Sequence, residues 1–360
     1  MKIFVFGSSI TSSYWNGAAT YYRGMYRNLS ALGHEIVFAE PDAYGRQQKR
    51  DQGDFSYVRS IVYKSPEALS DLLRIACHSD LVIKHSGVGA FDELLEERVL
   101  DCRTGTTTVA FWDVDAPATL ARIQSNPHDH FWPLIPEYDY VFTYGGGPAV
   151  VEQYQRLGAA NCHPIYNALD PESHHPVPRD PEFECDLVFV GNRLPDRERR
   201  VEEFFLRAAE LAPEFKFILG GEGWAEKRLP SNVRWIGHVG TNDHNRVNCS
   251  ARMVLNINRD SMAGVGFSPP TRVFEAAGAG ACLITDAWEG IEYFFEPGRE
   301  ILVAENAEDI VHYLRVISTD DAHYIGENMR RRALHRHTYG LRARQFDSIA
   351  NRSVAEPLAA

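Results

Sequence analysis

The chain has 360 residues, too long for one ordinary domain of about 100–200 residues and comfortable for two. Hydrophobic residues make up 44% and charged residues 24%, which excludes disordered, collagen-like and low-complexity readings. With 37 Lys+Arg against 49 Asp+Glu, the net charge of −12 argues against a general nucleic-acid or anionic-membrane surface. One small basic pocket for a phosphorylated ligand is still compatible with it.

In chain order, Lys2–Phe6 reads as a buried strand ending at Gly7. That run is too short for a signal-peptide core, and no apolar run approaches the roughly 20 residues of a membrane span. A cytoplasmic protein is expected. Gly17–Leu32 has helical spacing of Tyr21, Met25, Leu29 and Leu32, with Gly33 closing it. Strands are expected at His34–Ala39, Tyr57–Tyr63, Asp80–Lys84, Thr107–Trp112 and Tyr138–Thr143. Helices are expected at Pro66–Cys77, Phe91–Leu100 and Pro148–Leu157. This alternation implies a mainly parallel sheet with helices on both faces.

Residues 167–184 carry Pro171, Pro176, Pro178 and Pro181 without periodicity and read as a linker. Alternation then restarts. Strands are expected at Asp186–Val190, Phe215–Leu219, Val233–Ile236, Met253–Ile257, Ala281–Thr285 and Ile301–Val303. The expected helices are Glu198–Leu211, Asn242–Ser250, Thr271–Ala279, Ala307–Ile317 and Ala322–Arg336. The expected domains are therefore residues 1–166 and 185–336, two Rossmann-like, doubly wound α/β halves. A last helical piece, Tyr339–Asn351, lies within 337–352, and Ser353–Ala360 reads as a frayed end. The six cysteines form no CxxC pair and read as buried free thiols.

In open α/β sheets, ligands sit outside the carboxyl ends of the strands, so the residues there are the site candidates. Gly7 and Ser9 open the first strand-to-helix turn, where Ser9 and Ser12 replace glycines of the dinucleotide fingerprint. Glu40 stands where a ribose-binding acid would be. His85 follows the DLVIK strand and is either a site residue or a core histidine. Asp113 and Asp115 lie two apart on an extended segment, so at most one faces a ligand. Such a carboxylate either deprotonates a hydroxyl or caps the helix before Pro117.

In the second half, Gly191, Asn192 and Arg193 precede a basic helix start holding Arg197, Arg199 and Arg200. A helix N-terminus with arginines suits phosphate oxygens, and Arg193 is the expected clamp. The segment from Asn258 to Asp286 passes through Ser268-Pro269-Pro270 into a helix starting at Thr271 and Arg272. Its orphan N–H groups make a diphosphate site. Glu275, one turn in, can accept two hydrogen bonds from a ribose diol. The histidines at 128, 130, 174 and 175 read as surface loop residues.

RVFEAAGAG, FVGN, WDVDAP, LGHE and GIEYFFEPGREILVAEN together resemble glycosyltransferases of the GT-B fold, more closely the group-1, spore-maturation CgeB-like type. The resemblance implies two domains facing a cleft, the first binding the acceptor and the second a nucleotide-diphosphate sugar, with UDP-sugars the first expectation. It implies that Glu275 holds the ribose and that Ser268, Pro270 and Thr271 flank the diphosphate. It implies further that Arg193 is the basic residue of the donor domain, and that backbone at Gly237–Val239, including His238, meets the base. Asp115 and His85 would be candidate bases toward an acceptor hydroxyl. The final helix would cross back onto the first domain. No metal or other cofactor is expected, nor a nucleic-acid partner. Many relatives carry two glutamates separated by seven residues, and here Phe267 stands at the first of those positions. A sugar-nucleotide epimerase and a non-catalytic binding protein are the competing readings. The first would turn over donor without acceptor, and the second would normally lack the diphosphate loop.

Overall fold

The computed structural model describes residues 1–51 and 55–351, so the expected frayed end at Ser353–Ala360 lies outside the described residues. The chain divides into two compact units. The first comprises Met1–Asn167 and the segment from Tyr339, and the second Ala168–Thr338. The proline-rich stretch from Ala168 therefore belongs to the second unit. The helix Tyr339–Ala350 belongs to the first.

In the first unit the strands are β1 (Lys2–Phe6), β2 (Glu35–Pro41), β3 (Arg59–Tyr63), β4 (Leu81–His85), β5 (Thr108–Asp113), β6 (Tyr140–Thr143) and β7 (Cys162–Pro164). They form one parallel sheet in the order β3-β2-β1-β4-β5-β6-β7. Order reverses beside β1, the place where doubly wound sheets bind ligands. Central strands are apolar throughout because helices cover both faces; Phe4, Val5, Phe6, Val82 and Ile83 are all at most 1% exposed.

The second unit has β8 (Cys185–Val190), β9 (Phe217–Gly220), β10 (Val233–Trp235), β11 (Ala251–Asn256), β12 (Leu283–Asp286) and β13 (Leu302–Ala304). These too are all parallel, in the order β10-β9-β8-β11-β12-β13. One face packs Leu187, Phe189, Leu255 and Ile284 against Phe205, Ala208 and Ile310 from the helices.

Helix starts follow local chemistry. Ser65, Asn306 and Ser318 each accept a backbone N–H from three residues ahead, which satisfies an orphan donor. The expected helix Glu198–Leu211 is longer and irregular: Pro195–Val201 and Arg207–Leu211 flank a π-helical turn, Glu202–Leu206. Some elements lay outside the expected strands and helices. Strand β7 has only three residues, the helix Asp260–Val265 contains glycine, and Ala116–Ser125 directly follows the Asp113–Asp115 segment.

The cysteine expectation is corrected for one pair. The end of the helix Pro66–Ala76 lies beside the turn Val99–Cys102, and Cys77 and Cys102 form a disulfide with Cα atoms 4.3 Å apart. Cys162, Cys185 and Cys282 are buried free thiols, each pushed up to about 12 by burial.

Helix Ala18–Ala31 crosses the Tyr339 helix at Gly24, where an added Cβ would lie 2.1 Å from the Tyr339 ring. Gly24→Ala gains some helix propensity but overpacks this contact, so a net loss of about 1–3 kcal/mol is expected. A lowered melting temperature checks it.

Candidate functional site

In the second unit the site begins at the end of β8. Gly191 lies so close to Gly221 that a Cβ on the latter would fall 2.3 Å from the Gly191 carbonyl oxygen. Gly221 also has φ +117, so only glycine fits that turn. Trp224 Nε1 donates to the same carbonyl at 2.8 Å.

Two guanidinium groups converge here. A Cβ placed on Gly191 would sit 2.9 Å from Arg272 Nη2 and 3.0 Å from Arg197 Nη2. Both lie over the Phe189 ring, at 5.1 and 5.7 Å from its centroid. Arg272 Nη1 donates to Asn256 Oδ1 at 3.0 Å, and Arg197 Nη2 donates to the Asn192 carbonyl at 2.5 Å. Among the described residues neither has a carboxylate in ion-pair distance, although ion pairs surround them at Arg193, Arg199, Arg200 and Arg259. Burial lowers both, and the Arg272 charge presses Arg197 further, to about 9. Two unit charges about 6 Å apart repel by roughly 3 kcal/mol at an effective dielectric of 20. A dianion placed between them would reverse that sign.

The helix Thr271–Ala279 points its N-terminus into the same region. Its N-cap is Pro270 and no side chain caps it; Val273 N–H donates to the Pro270 carbonyl at 3.1 Å, which leaves the Thr271 and Arg272 N–H groups at the helix start to meet an anion. Ser268 is 2% exposed and donates to the Gly266 carbonyl at 2.8 Å. Phe267 has φ +43 and its N–H donates to the Glu289 carbonyl at 2.6 Å. A left-handed conformation at a bulky residue is strained.

Glu275 is buried, with Oε2 3.5 Å from His244 Nδ1. Burial opposes its ionisation, but His244, His174, Arg272 and the Thr271 hydroxyl outweigh that and hold its carboxyl below the ordinary range. His174 corrects the surface expectation: it is 2% exposed and joins His244 and Glu275 in one cluster. Gly278 explains why. A Cβ there would meet Leu169 and the backbone and side chain of His174 at 2.5–2.8 Å, so the loop packs directly onto the helix. His175, in contrast, is exposed.

Arg193, the expected clamp, is engaged in an ion pair. Its Nη2 donates to Glu198 Oε1 at 2.7 Å, and that hydrogen bond raises its affinity for its proton. Asn192 Oδ1 accepts the Glu222 N–H at 3.0 Å. His238 is exposed beside Gly237, which has φ +73 and whose carbonyl accepts the Gly221 N–H at 2.6 Å. Arg197 is the residue that sequence reasoning left open.

In the first unit, His85 is fully buried, packed on Tyr22 and Trp112 and hydrogen-bonded to the Tyr26 hydroxyl at 2.5 Å. Burial pushes it down to about 3, so it is a neutral core imidazole. Asp113 is also fully buried and accepts from Ser86, Tyr154 and the Asp115 N–H. Asp115 is half-buried at the start of the Ala116 helix and its side chain makes no capping hydrogen bond. Of the two carboxylates, Asp115 is the one with access to solvent.

Gly7 faces Phe38, whose ring a Cβ would meet at 2.3 Å. Ser9 accepts the Ser12 N–H, while Glu40 accepts from Ile10 N–H, the Thr11 hydroxyl and Gln47. These groups order their own loop. Arg23 locks it further by binding the Ile10 carbonyl and Asp51. Burial alone would raise the Asp51 carboxyl, but the bonds and charge of Arg23, with Ser13, hold it at about 2. Because that lies below its ordinary 3.8, the pair stabilises fully above that value and loses its contribution as pH falls from 3.8 toward 2. The contribution is about 2 kcal/mol. Arg23→Gln should shift the acid-unfolding midpoint upward, read by circular dichroism.

Among the described residues, no helix is long and apolar enough to cross a membrane. A family model described as glycosyl transferase-like matches residues 197–348. No curated protein matches the sequence. Solved structures share the whole fold. Anabaena Alr3699/HepE in complex with UDP and glucose superposes with a TM-score of 0.70 at 11% identity, over 98% of this chain and 100% of that one. Sucrose-phosphate synthase from Thermosynechococcus elongatus gives 0.69 at 13%, over 99% and 100%. AviGT4, a glycosyltransferase involved in avilamycin A biosynthesis, gives 0.63 at 17%, over 99% and 98%. The architecture, two α/β units each built on a parallel sheet, is the fold of these solved glycosyltransferase structures.

Proposed function

We propose that this chain transfers a sugar from a nucleotide-diphosphate donor, a UDP-sugar first among them, to a hydroxyl-bearing acceptor. The observation that carries this is the pair Arg197 and Arg272. They converge on Gly191 beside an uncapped helix N-terminus, and among the described residues no carboxylate is paired to either. That is an anion site of high positive potential in a chain of net charge −12. UDP is present in the Anabaena structure of the same fold.

In this reading the diphosphate lies between the two guanidinium groups and the Thr271 helix start. Charge that builds on the leaving diphosphate during transfer is met by donors already in place. Glu275 accepts hydrogen bonds from the ribose diol, and the Gly237–Val239 backbone lies along the base. The first unit serves the acceptor, and Asp115 is the base that takes the acceptor's proton. His85 keeps the sheet end packed. Catalysis by the chain's own groups needs no resident metal. FVGN, WDVDAP and FFEPGREIL support the CgeB-like type within the fold.

The test is donor breakdown. The purified chain, given UDP-glucose, UDP-galactose or UDP-N-acetylglucosamine with and without added glycan acceptors, should release UDP from at least one donor. Asp115→Asn should cut that rate by about 100-fold or more while UDP affinity holds. Absence of both UDP release and nucleotide binding across nucleoside-diphosphate sugars would overturn the reading.

A further inference from the structure

We infer that His174, His244 and Glu275 form a binding site for one divalent transition-metal ion of the Zn2+ class. The donor atoms of the three side chains all lie within 4.8 Å of one another. His244 Nδ1 and Glu275 Oε2 are 3.5 Å apart, and two ligands on one tetrahedral zinc ion stand ~3.4 Å apart for bonds of about 2.0–2.1 Å.

Several independent features point to a ligand rather than to packing. His174 is 2% exposed, yet among the described residues its Nε2 has no hydrogen-bond partner, and His244 Nδ1 has none either. A buried imidazole nitrogen without a partner is costly, and here two such nitrogens gather about one carboxylate. Two imidazoles and a carboxylate suit zinc and leave a coordination position for water or an exogenous group. The three residues come from three different segments: the loop after Asp170, the helix Thr241–Ser250 and the helix Thr271–Ala279. The loop is pinned to the middle helix, because Asn245 donates to the Ser173 carbonyl at 2.9 Å and accepts the His175 N–H at 3.3 Å. Ligands held on a framework of this kind lose little entropy on binding an ion.

The site has a consequence that rests on the proposed ribose role of Glu275. An ion there takes the same carboxylate, so metal and nucleotide compete, and each weakens the other by the same factor.

The test uses full-length protein without an affinity tag, stripped of metal by a chelator and titrated with Co2+. One Co2+ per chain is expected, with the intense visible absorption of a low-coordinate ion, displaced by Zn2+. His244→Ala and His174→Asn should each weaken binding at least tenfold. His175→Ala, an exposed neighbouring histidine, should leave it unchanged. Should His174→Asn fail to fold, His244→Ala, at a half-buried position, decides the matter. No saturable Co2+ spectrum, or one that survives loss of His244, overturns the site. In a second arm, UDP should bind Zn2+-loaded protein at least tenfold more weakly than stripped protein. If the Co2+ spectrum depends on both histidines but UDP affinity does not move, the metal site stands and the ribose role of Glu275 fails.

Discussion

Arg272→Met should weaken UDP binding by roughly 10–100-fold and leave the ligand-free protein as stable as before or slightly more so. The two effects have different origins. A hydrogen bond to a charged group contributes about 1.5–3 kcal/mol, and arginine presents its donors as a planar fork suited to phosphate. Removing one of two clamps on a diphosphate therefore costs one to two decades of affinity. Without ligand, the substitution loses the bond to Asn256 and the stacking on Phe189. It also removes like-charge repulsion with Arg197, and methionine refills the apolar volume. Arg197→Met should behave alike. A structural arginine would show the reverse pattern, with a melting temperature lowered by several degrees and UDP affinity intact. Isothermal calorimetry and thermal unfolding on the same samples separate the cases.

Glu275→Gln should remove the preference for ribose over deoxyribose. The carboxylate can accept from both hydroxyls of the diol, whereas an amide has one accepting oxygen and two donors. Wild-type protein should bind UDP at least tenfold more tightly than 2′-deoxy-UDP, and the variant should bind both at the weaker level. The pH dependence follows from the same group. Its carboxyl lies below the ordinary 4.5 because His244, His174 and Arg272 outweigh burial. Ribose binding through it is therefore fully present above that value and is lost only as pH falls through the lowered one. UDP affinity measured downward from pH 7 should show no loss from this group until below about 4.5. A drop centred well above that, abolished by Glu275→Gln, would contradict the assigned electrostatics.

The fold was largely legible because its strands are short apolar runs and its helices carry their own signals. DLVIK and CDLVFV can hardly be anything but buried parallel strands, and Ser65-Pro66 and Asn306 announce helix starts. Strand β7 carried no such signal, since Cys-His-Pro gains its strand character only by pairing with β6. The disulfide was hidden because Cys77 and Cys102 are 25 residues apart and meet only through the packing of two helical ends.

Of the proposed site, the sequence pointed to the part that one helix start carries, Thr271, Arg272 and Glu275. At Arg193 the expectation and the structure's ion pairing point to different residues. That choice followed position, whereas the structure follows reach: Arg193 leaves the strand end and turns to Glu198. A signal for Arg197 existed. Residues three and four away on either side are Leu194, Arg193, Arg200 and Val201, so it has no acidic neighbour at helical spacing. Arg199 has Glu203, and Arg200 has Asp196 and Glu203. The His174–His244–Glu275 cluster had no such signal, because three distant segments build it.

Titrating UDP, UMP and uridine into the purified protein by calorimetry tests the central claim most directly. The account predicts saturable UDP binding, at least tenfold weaker UMP binding and weaker uridine binding still, with the UDP advantage abolished in Arg197→Met/Arg272→Met. Equal affinities for UDP and uridine, or a UDP advantage that survives loss of both arginines, would contradict it.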